Sequence, residues 1–574
     1  MASAQRHSIP VPADLESASM SPSLMGQGEG EEDPLDKLLR SRALKGPRNT
    51  TFLPLQLLLS ILTQERLKRE LNQSRYRKKK WSAERIEELV NIIRPHPDDV
   101  KPESAQDKAG YIRVFALLLL MGKEGKIEDF IKNEESDHIF PVEKPDPNGN
   151  LRRFSATKEA PELMASTRWR QADREYFFTQ QWELRPAYFD FANVKETYKF
   201  ASSIVLPWVQ PNGAESQALG GSSEREGAHG IVTQVEIDPG SHSFRSVLEE
   251  VKISERRVFA LKTLHKGVPG VDGFERELGH LRRFNGKVHP HIITLLASFE
   301  HDGASYFIFP WAESTLETYW EKTMPSNNNT HPTQLDPQTA AWVAKQLQGI
   351  TGAIEAIHAP RPHHLEPGKE GFGRHSDLKP DNILWFRHDD DPKGLLVVTD
   401  LGLATFNREV SRSIQPGSSA RVPGYRAPEC DMQNAKARRL TDIWTLGCIY
   451  LEFVTWLLGG DQLLGEFKEQ RTSLDHLSRV RSNLFFEFEE DRSRGGSEKR
   501  KGQMRVKKTV AEFIARLHRR ENCSQFVHEV LDVIQNEMMV VDQQKRSDAS
   551  KLLKKFKDLS TNCKGIDQVY ATRG

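Results

Sequence analysis

The chain has 574 residues, of which 37% are hydrophobic and 28% charged; that is ordinary globular usage, with enough apolar material for a substantial core. With 81 basic against 80 acidic residues the formal charge is +1, which excludes a chain-wide field able to recruit nucleic acid or a membrane surface and leaves such roles to local patches. Four cysteines, Cys430, Cys448, Cys523 and Cys563, show neither CxxC spacing nor the density of a disulfide scaffold, so free thiols in an intracellular setting, cytoplasmic or nuclear, are expected.

Taken in order, the opening stretch MASAQRHSIPVPADLESASM lacks a basic start followed by an apolar block, so no secretory signal is expected. Residues 1–35 are rich in Ser, Pro, Gly and Glu, and burial would not offset the entropy of ordering them, which predicts a disordered tail. LPLQLLLSILTQERLKREL, SAERIEELVNII and AGYIRVFALLLLM carry apolar residues at helical spacing and predict a helical module over 50–135, a surface for partner binding. Its longest apolar run, Val114 to Met121, is far shorter than the about 20 residues that cross a bilayer, so no membrane span is expected. The basic cluster RYRKKK, Arg75 to Lys80, reads either as a nuclear-import or polyanion patch or as a solvated helix end.

The segment 136–204 is a connection too aromatic for a flexible linker, as in REYFFTQQWELRPAYFDF, and is expected to pack against the downstream part of the chain. Pro211 to Gly227 is a polar Gly and Ser cluster of loop type. GIVTQVEI and RRVFALKTL, rich in β-branched residues, predict strands, and from about Thr339 helical patterns dominate.

Three stretches carry chemistry. GRHSDLKPDNILWF, Gly373 to Phe386, sets Asp377, Lys379 and Asn382 within six residues, where a carboxylate could accept a hydroxyl proton beside an amide oxygen able to hold a divalent cation; alone it is also an ordinary polar turn. LLVVTDLGLATF delivers Asp400 to the end of a continuous apolar run with Gly402 behind it, which suits a metal-binding carboxylate or an ordinary Asp turn. VFALKTL places Lys262 among apolar neighbours, where an ammonium needs a counter-charge, and Glu277 in FERELGHLRRF can supply it.

In this order, followed by APE at Ala427 to Glu429, these residues resemble the signature set of the eukaryotic protein kinases over about Val205 to Leu559. DLKPDN is similar to the serine/threonine form of the loop, and GRHSDLKPDNILWF with IVLPW, Ile204 to Trp208, resembles protein kinases of filamentous fungi. The resemblance implies an α+β bilobal protein-kinase fold: a small β-rich lobe at 205–315, a larger helical lobe at 316–560 and a C-terminal tail at 561–574, preceded by a helical N-terminal region. It further implies ATP and Mg2+ between the lobes and phosphoryl transfer to Ser or Thr hydroxyls of protein substrates. In that reading Lys262 holds the α and β phosphates with Glu277 as its partner, Asp377 is the catalytic base with Lys379 beside it, and Asn382 and Asp400 are the metal ligands. Gly227 and Gly230 belong to the phosphate loop, Val232 and Ala260 cover the adenine, Phe309 limits the back of the pocket, and Pro310, Trp311 and Ala312 form the hinge. Asp442 is expected to steady the catalytic loop and Arg546 to pair with Glu429.

Three departures stand out. Arg225 occupies the place of the first phosphate-loop glycine, Ser376 that of the arginine before the catalytic aspartate, and Leu401 that of a phenylalanine. Ser376 removes the cation that a phosphorylated activation segment engages, so activity is expected not to depend on Ser411, Ser413, Ser418 or Ser419. The same departures motivate an alternative, a pseudokinase scaffold that binds nucleotide or partners without catalysis. His363 and His364 are read as part of a solvated surface insertion.

Overall fold

In a computed structural model of the chain, the residues described are 33–73, 81–94, 110–145, 151–152, 162–163, 169–210, 224–227, 230–253, 257–264, 273–284, 289–325, 335–359, 372–401, 405–407, 424–432, 439–474, 481–490, 502–564 and 569–572. The expectations placed on 1–32, on Arg75 to Lys80, on most of the Pro211 to Gly227 loop, on His363 and His364, on Gly402 and on the four serines Ser411, Ser413, Ser418 and Ser419 fall outside them.

The leucine-rich N-terminal sequence folds as helices α1 (Leu35–Arg42), α2 (Leu55–Ile61), α3 (Gln64–Gln73), α4 (Ala83–Ile93), α5 (Ile112–Leu120) and α6 (Ile127–Lys132). Helix α1 begins where the expected tail ends, and Leu35 and Leu39, four apart on one helical face, are both buried. At its start α4 uses Ser82, whose hydroxyl accepts the Arg85 N–H at 3.2 Å. Eight of the nine residues of α5 are buried, and the other helices lay single apolar stripes around it.

The aromatic connection divides its loyalty. Helix α7 (Gln171–Gln180) turns back onto the preceding helices: Phe177 stacks on Phe130 and Phe140 with ring centroids 5.8 and 5.7 Å apart, and Trp169 meets Phe130 edge-on at 5.9 Å. The buried Gln181 amide accepts the Val142 N–H at 2.8 Å and donates to the Val142 carbonyl at 3.1 Å. The N-terminal core thus extends to Leu184, against the expectation that the segment packs only forwards; a complete apolar face on α5 demanded cover that 50–135 could not supply.

From Ala187 the chain joins the small sheet instead. Seven strands make it: β1 (Thr197–Lys199), β2 (Trp208–Val209), β3 (Glu224–Gly227), β4 (Gly230–Ile237), β5 (Val258–Leu264), β6 (Ala297–His301) and β7 (Ala304–Pro310), ordered β1-β6-β7-β5-β4-β2 with β3 paired on β4. Strand β1 therefore belongs to this sheet although it precedes residue 205. Side-chain alternation sorts the two faces. Phe259, Leu261 and Ile308 point into an aromatic cluster where Phe189 stacks on Trp208 at 5.8 Å and touches Phe299 at 5.5 Å. Phe307 and Phe309 point the other way, where Phe307 stacks at 4.8 Å on Phe274 of α8 (Gly273–Arg282).

The larger, mainly helical lobe is built on α9 (Pro337–His358), α10 (Arg439–Gln470), α11 (Lys508–His518), α12 (Gln525–Val533) and α13 (Ala549–Cys563). Short strands β8 (Phe372–Arg374), β9 (Ile383–His388), β10 (Asp391–Val398) and β11 (Thr405–Asn407) lie between α9 and α10, with β9 and β10 forming a hairpin and β8 pairing with β11. Helix α10 is the one helix among the described residues long and apolar enough to cross a membrane, but 94% of its apolar window is buried inside the protein, as a central core helix requires. It breaks at Gly459 and Gly460, the latter at φ 66, a conformation that costs little only for glycine. A bidentate pair anchors the far end of this lobe: Arg546 donates to Glu429 Oε1 and Oε2 at 2.7 and 2.6 Å, matching the expected partnership.

The lobes meet along a histidine. His291 is buried, its Nδ1–H donates to the Leu396 carbonyl of β10 at 2.7 Å, and its ring abuts Gly349 of α9, where a Cβ would lie 2.0 Å from Nε2. Burial pushes its pKa down to about 3, so the imidazole is neutral in the fold. Below its unfolded value of about 6.5 the unfolded chain holds an extra proton, so this contribution to stability is complete above that pH and is lost as pH falls. The denaturant midpoint is therefore expected to drop between about pH 7 and pH 5, and to drop less in a His291→Gln variant. Equal slopes for the two proteins would contradict the buried neutral ring.

Candidate active site

The sheet, α8 and the β8 to β10 region bring the expected residues into one connected set. Lys262 on β5 stands in register with Val232 of β4 and Phe307 of β7, and Ala260 pairs with Phe309, so these side chains share the sheet face that looks toward α8. The Lys262 ammonium donates to Glu277 Oε1 of α8 at 2.6 Å and lies 3.6 Å from Asp400 Oδ1. Burial alone would lower its pKa, but the attraction of Glu277 and Asp400 wins and raises it, so the ammonium is held charged. Helix α8 is tied to the same point by a second bond, from His280 Nδ1–H to the Leu401 carbonyl at 2.9 Å.

On the other wall, Asp377 is 3% exposed. Asn382 Nδ2 donates both to its main-chain carbonyl and to its Oδ2, each at 2.8 Å, and Lys379 Nζ stands 3.5 Å from Oδ2. Asp377 Oδ1 is buried with no hydrogen-bond partner, and an oxygen left so in a folded site calls for a further donor. The two walls are stitched through Thr399, whose N–H donates to the Asn382 carbonyl at 3.0 Å and whose carbonyl accepts His375 Nε2–H at 2.9 Å. With that tautomer His375 Nδ1 is free to accept the Asp377 N–H, 3.3 Å away.

Asp442, in the first turn of α10, holds this loop from below. Its Oδ2 accepts the His375 N–H at 2.8 Å and His358 Nε2–H at 2.9 Å, and its Oδ1 accepts the Ser376 N–H at 3.1 Å. Burial would push its pKa up, but the His358 bond outweighs this and leaves the carboxyl below the usual carboxylate range. Two loop residues are strained: Ser376 at φ 72 and Asp400 at φ 61 occupy the left-handed region, which clusters at functional sites and costs of order 1–3 kcal/mol each. Arg374 Nε, donating to Ser376 Oγ at 2.8 Å, completes the clamp on the strained serine.

The residues expected to face a nucleotide lie on the β3–β4 hairpin and around the end of β7. Gly227 and Gly230 face each other at the end of that hairpin, and a Cβ on Gly230 would come 2.2 Å from the Thr263 carbonyl, so only glycine fits there. Arg225 pairs across the same hairpin with Val232. Phe309 is buried behind Ala260, and Ala312 packs at the edge of the main core. Trp311 lines a small crevice with Leu248, Val258 and Phe386. Leu401 is fully buried, as an apolar replacement at that position should be.

Sequence reasoning overlooked His358, His375, Thr399 and Arg374. His375 was visible in the quoted loop, but its partner is a main-chain carbonyl and could not be read from residue types. The donor set also fits a hard divalent cation: turning its NH2 onto Asp377 leaves Asn382 its amide oxygen, and Asp400 adds a partly exposed carboxylate. Asp442→Asn keeps the shape but presents an NH2 where acceptors are needed; kcat is expected to fall at least about tenfold with nucleotide affinity nearly unchanged. An unaltered kcat in steady-state assays would show that the loop does not rely on Asp442.

Comparison with known proteins agrees with this geometry. The family described as protein kinase domain matches residues 235–556. A probable cell division protein kinase of Encephalitozoon cuniculi is 26% identical over 306 residues, 52% of this chain and 95% of the relative. Cyclin-dependent kinase D-1 of Arabidopsis thaliana is 28% identical over 192 residues, covering 33% of this chain and 39% of its own length, and serine/threonine-protein kinase SSN3 of the fungus Pyricularia oryzae is 28% identical over 169 residues, 29% of each chain. The chain thus spans well under half the length of the last two. With the ion pair, the loop and the paired carboxylates in one cleft and more than half of its length matched, the chain belongs to the protein kinase domain family.

Proposed function

We propose that the protein is an ATP-dependent protein kinase that phosphorylates Ser or Thr hydroxyls of protein substrates. The observation that carries the proposal is Asp377 Oδ1, a buried carboxylate oxygen without a partner beside an otherwise saturated loop. A substrate hydroxyl placed there gains the missing hydrogen bond, is aimed at the γ-phosphorus and gives its proton to the Asp377 carboxylate as the new O–P bond forms and the bond from the γ-phosphorus to the bridging oxygen breaks, releasing ADP. Lys379, 3.5 Å from the other oxygen, remains close enough to share the charge of the moving phosphoryl group.

Lys262 is poised for the α and β phosphates because Glu277 and Asp400 keep it charged and fix its direction before any ligand arrives. Gly230 lets β4 run close against Thr263 of β5, while Val232, Ala260 and Phe309 supply the apolar walls for a purine. Asn382 and Asp400 would hold Mg2+, which when bound neutralises phosphate charge. DLKPDN supports Ser or Thr over Tyr as acceptor.

The scaffold reading motivated by Arg225 and Ser376 has less support. Ser376 replaces an arginine side chain, yet its main-chain N–H keeps the bond to Asp442 that positions Asp377. The helical N-terminal region, closed by its own core, is proposed to bind a protein partner.

The test is transfer of labelled phosphate from ATP to generic Ser/Thr peptides with magnesium. Asp377→Asn is expected to lower kcat by at least about a thousandfold while retaining ATP binding. Wild-type turnover in that variant, or ATP binding without transfer in the unaltered chain, would overturn the enzyme assignment.

A further inference from the structure

Far from the cleft, the turn joining α11 to α12 gathers three metal-ligating side chains that the phosphoryl-transfer chemistry does not use. His518 ends α11, Cys523 directly precedes Ser524, the cap of α12, and His528 stands one turn inside α12. Four residues separate each from the next. Their ligand atoms all lie within 4.8 Å of one another, with the two imidazoles stacked at 5.0 Å and their Nδ1 atoms facing each other at 2.7 Å.

We propose that His518 Nδ1, Cys523 Sγ and His528 Nδ1 bind Zn2+, with water in the fourth position. Two imidazoles whose Nδ1 lone pairs point at one another need a proton or a cation between them, and a thiol beside them makes a borderline-soft ion the better match. Zinc bonds of about 2.0 Å to nitrogen in a tetrahedron separate the nitrogens by about 3.3 Å, so the rings need to part by about half an ångström and tilt until both lone pairs meet at the ion. A second observation points the same way. Behind His518, Nε2 lies 3.9 Å from Oδ1 of Asp532, one turn beyond His528, an ion-pair distance from which a small side-chain shift would let the carboxylate accept the outer N–H of a metal-bound imidazole. Burial pushes the Cys523 thiol up to about 12, so an ion bound there has to displace its proton.

The site has a structural task within reach. Where Gly459 and Gly460 break α10, the Leu458 carbonyl loses its helical partner, and the turn supplies replacements: Asn522 Nδ2 at 2.9 Å and Arg520 Nη2 at 3.3 Å. Zinc across His518, Cys523 and His528 would staple both ends of that turn and keep its donors on the broken helix.

The test uses the untagged full chain, stripped with a chelator and titrated with Zn2+ alone and with Co2+ alone. One zinc per chain is expected after dialysis, together with a thiolate-to-cobalt charge-transfer band and a higher melting temperature in excess zinc. Cys523→Ser should abolish the band and weaken zinc binding by about a hundredfold or more, His528→Gln should weaken it comparably, and Asp532→Asn by about tenfold. Asp532 is exposed, so its variant remains informative if the buried substitutions do not fold. A chain that takes up no zinc, or a Cys523→Ser protein that keeps both its zinc and the cobalt band, would overturn the proposal.

Discussion

The buried carboxylate of Asp442 is the point on which the cleft depends. It commits its two oxygens to the main-chain N–H groups of His375 and Ser376 and to the ring of His358. Those main-chain bonds hold Ser376 in the left-handed region and so decide where Asp377, one residue later, can point. A carboxylate can do this because it is acceptor-only, and because burial in the first turn of a helix packed on every side removes competing water. The residue before the base needs only its N–H for this purpose, which is why a serine can stand there.

The opposite wall uses charge rather than backbone bonds. Lys262 is nearly buried, and a lone ammonium at that depth would shed its proton; Glu277 and Asp400 keep it charged from two different elements. The pair also tells α8 and the end of β10 where to be relative to the sheet, and His280 repeats the message through the Leu401 carbonyl. The sheet and the placement of a helix are thus tied through one side chain.

Upstream, the aromatic segment serves two cores. Trp169 and Phe177 complete the helical N-terminal module, whereas Phe189, Tyr198 and Trp208 cover the outer face of the small sheet. The same short stretch of chain therefore links a helical region to the lobe that holds Lys262. The N-terminal region also meets the lobe of the small sheet at Gln210, whose N–H donates to the Lys45 carbonyl at 2.9 Å.

The strands around Lys262, the largely buried central helix and the convergence of Asp377, Asn382 and Asp400 near Lys262 were legible in residue order, because apolar period and motif spacing are local properties of the chain. So was the Glu429 and Arg546 pairing, since a recognised motif names both ends. Other features exist only once distant segments meet. Leu35, Leu39 and Phe177 share one core with α5, a meeting that residue order does not show. His375 found its partner in a carbonyl, and His518, Cys523 and His528 converge because a turn folds back between two helices. Residue types announce which chemistry is available; distances of a few ångströms between main-chain groups and remote side chains, set by packing, decide which of it is used.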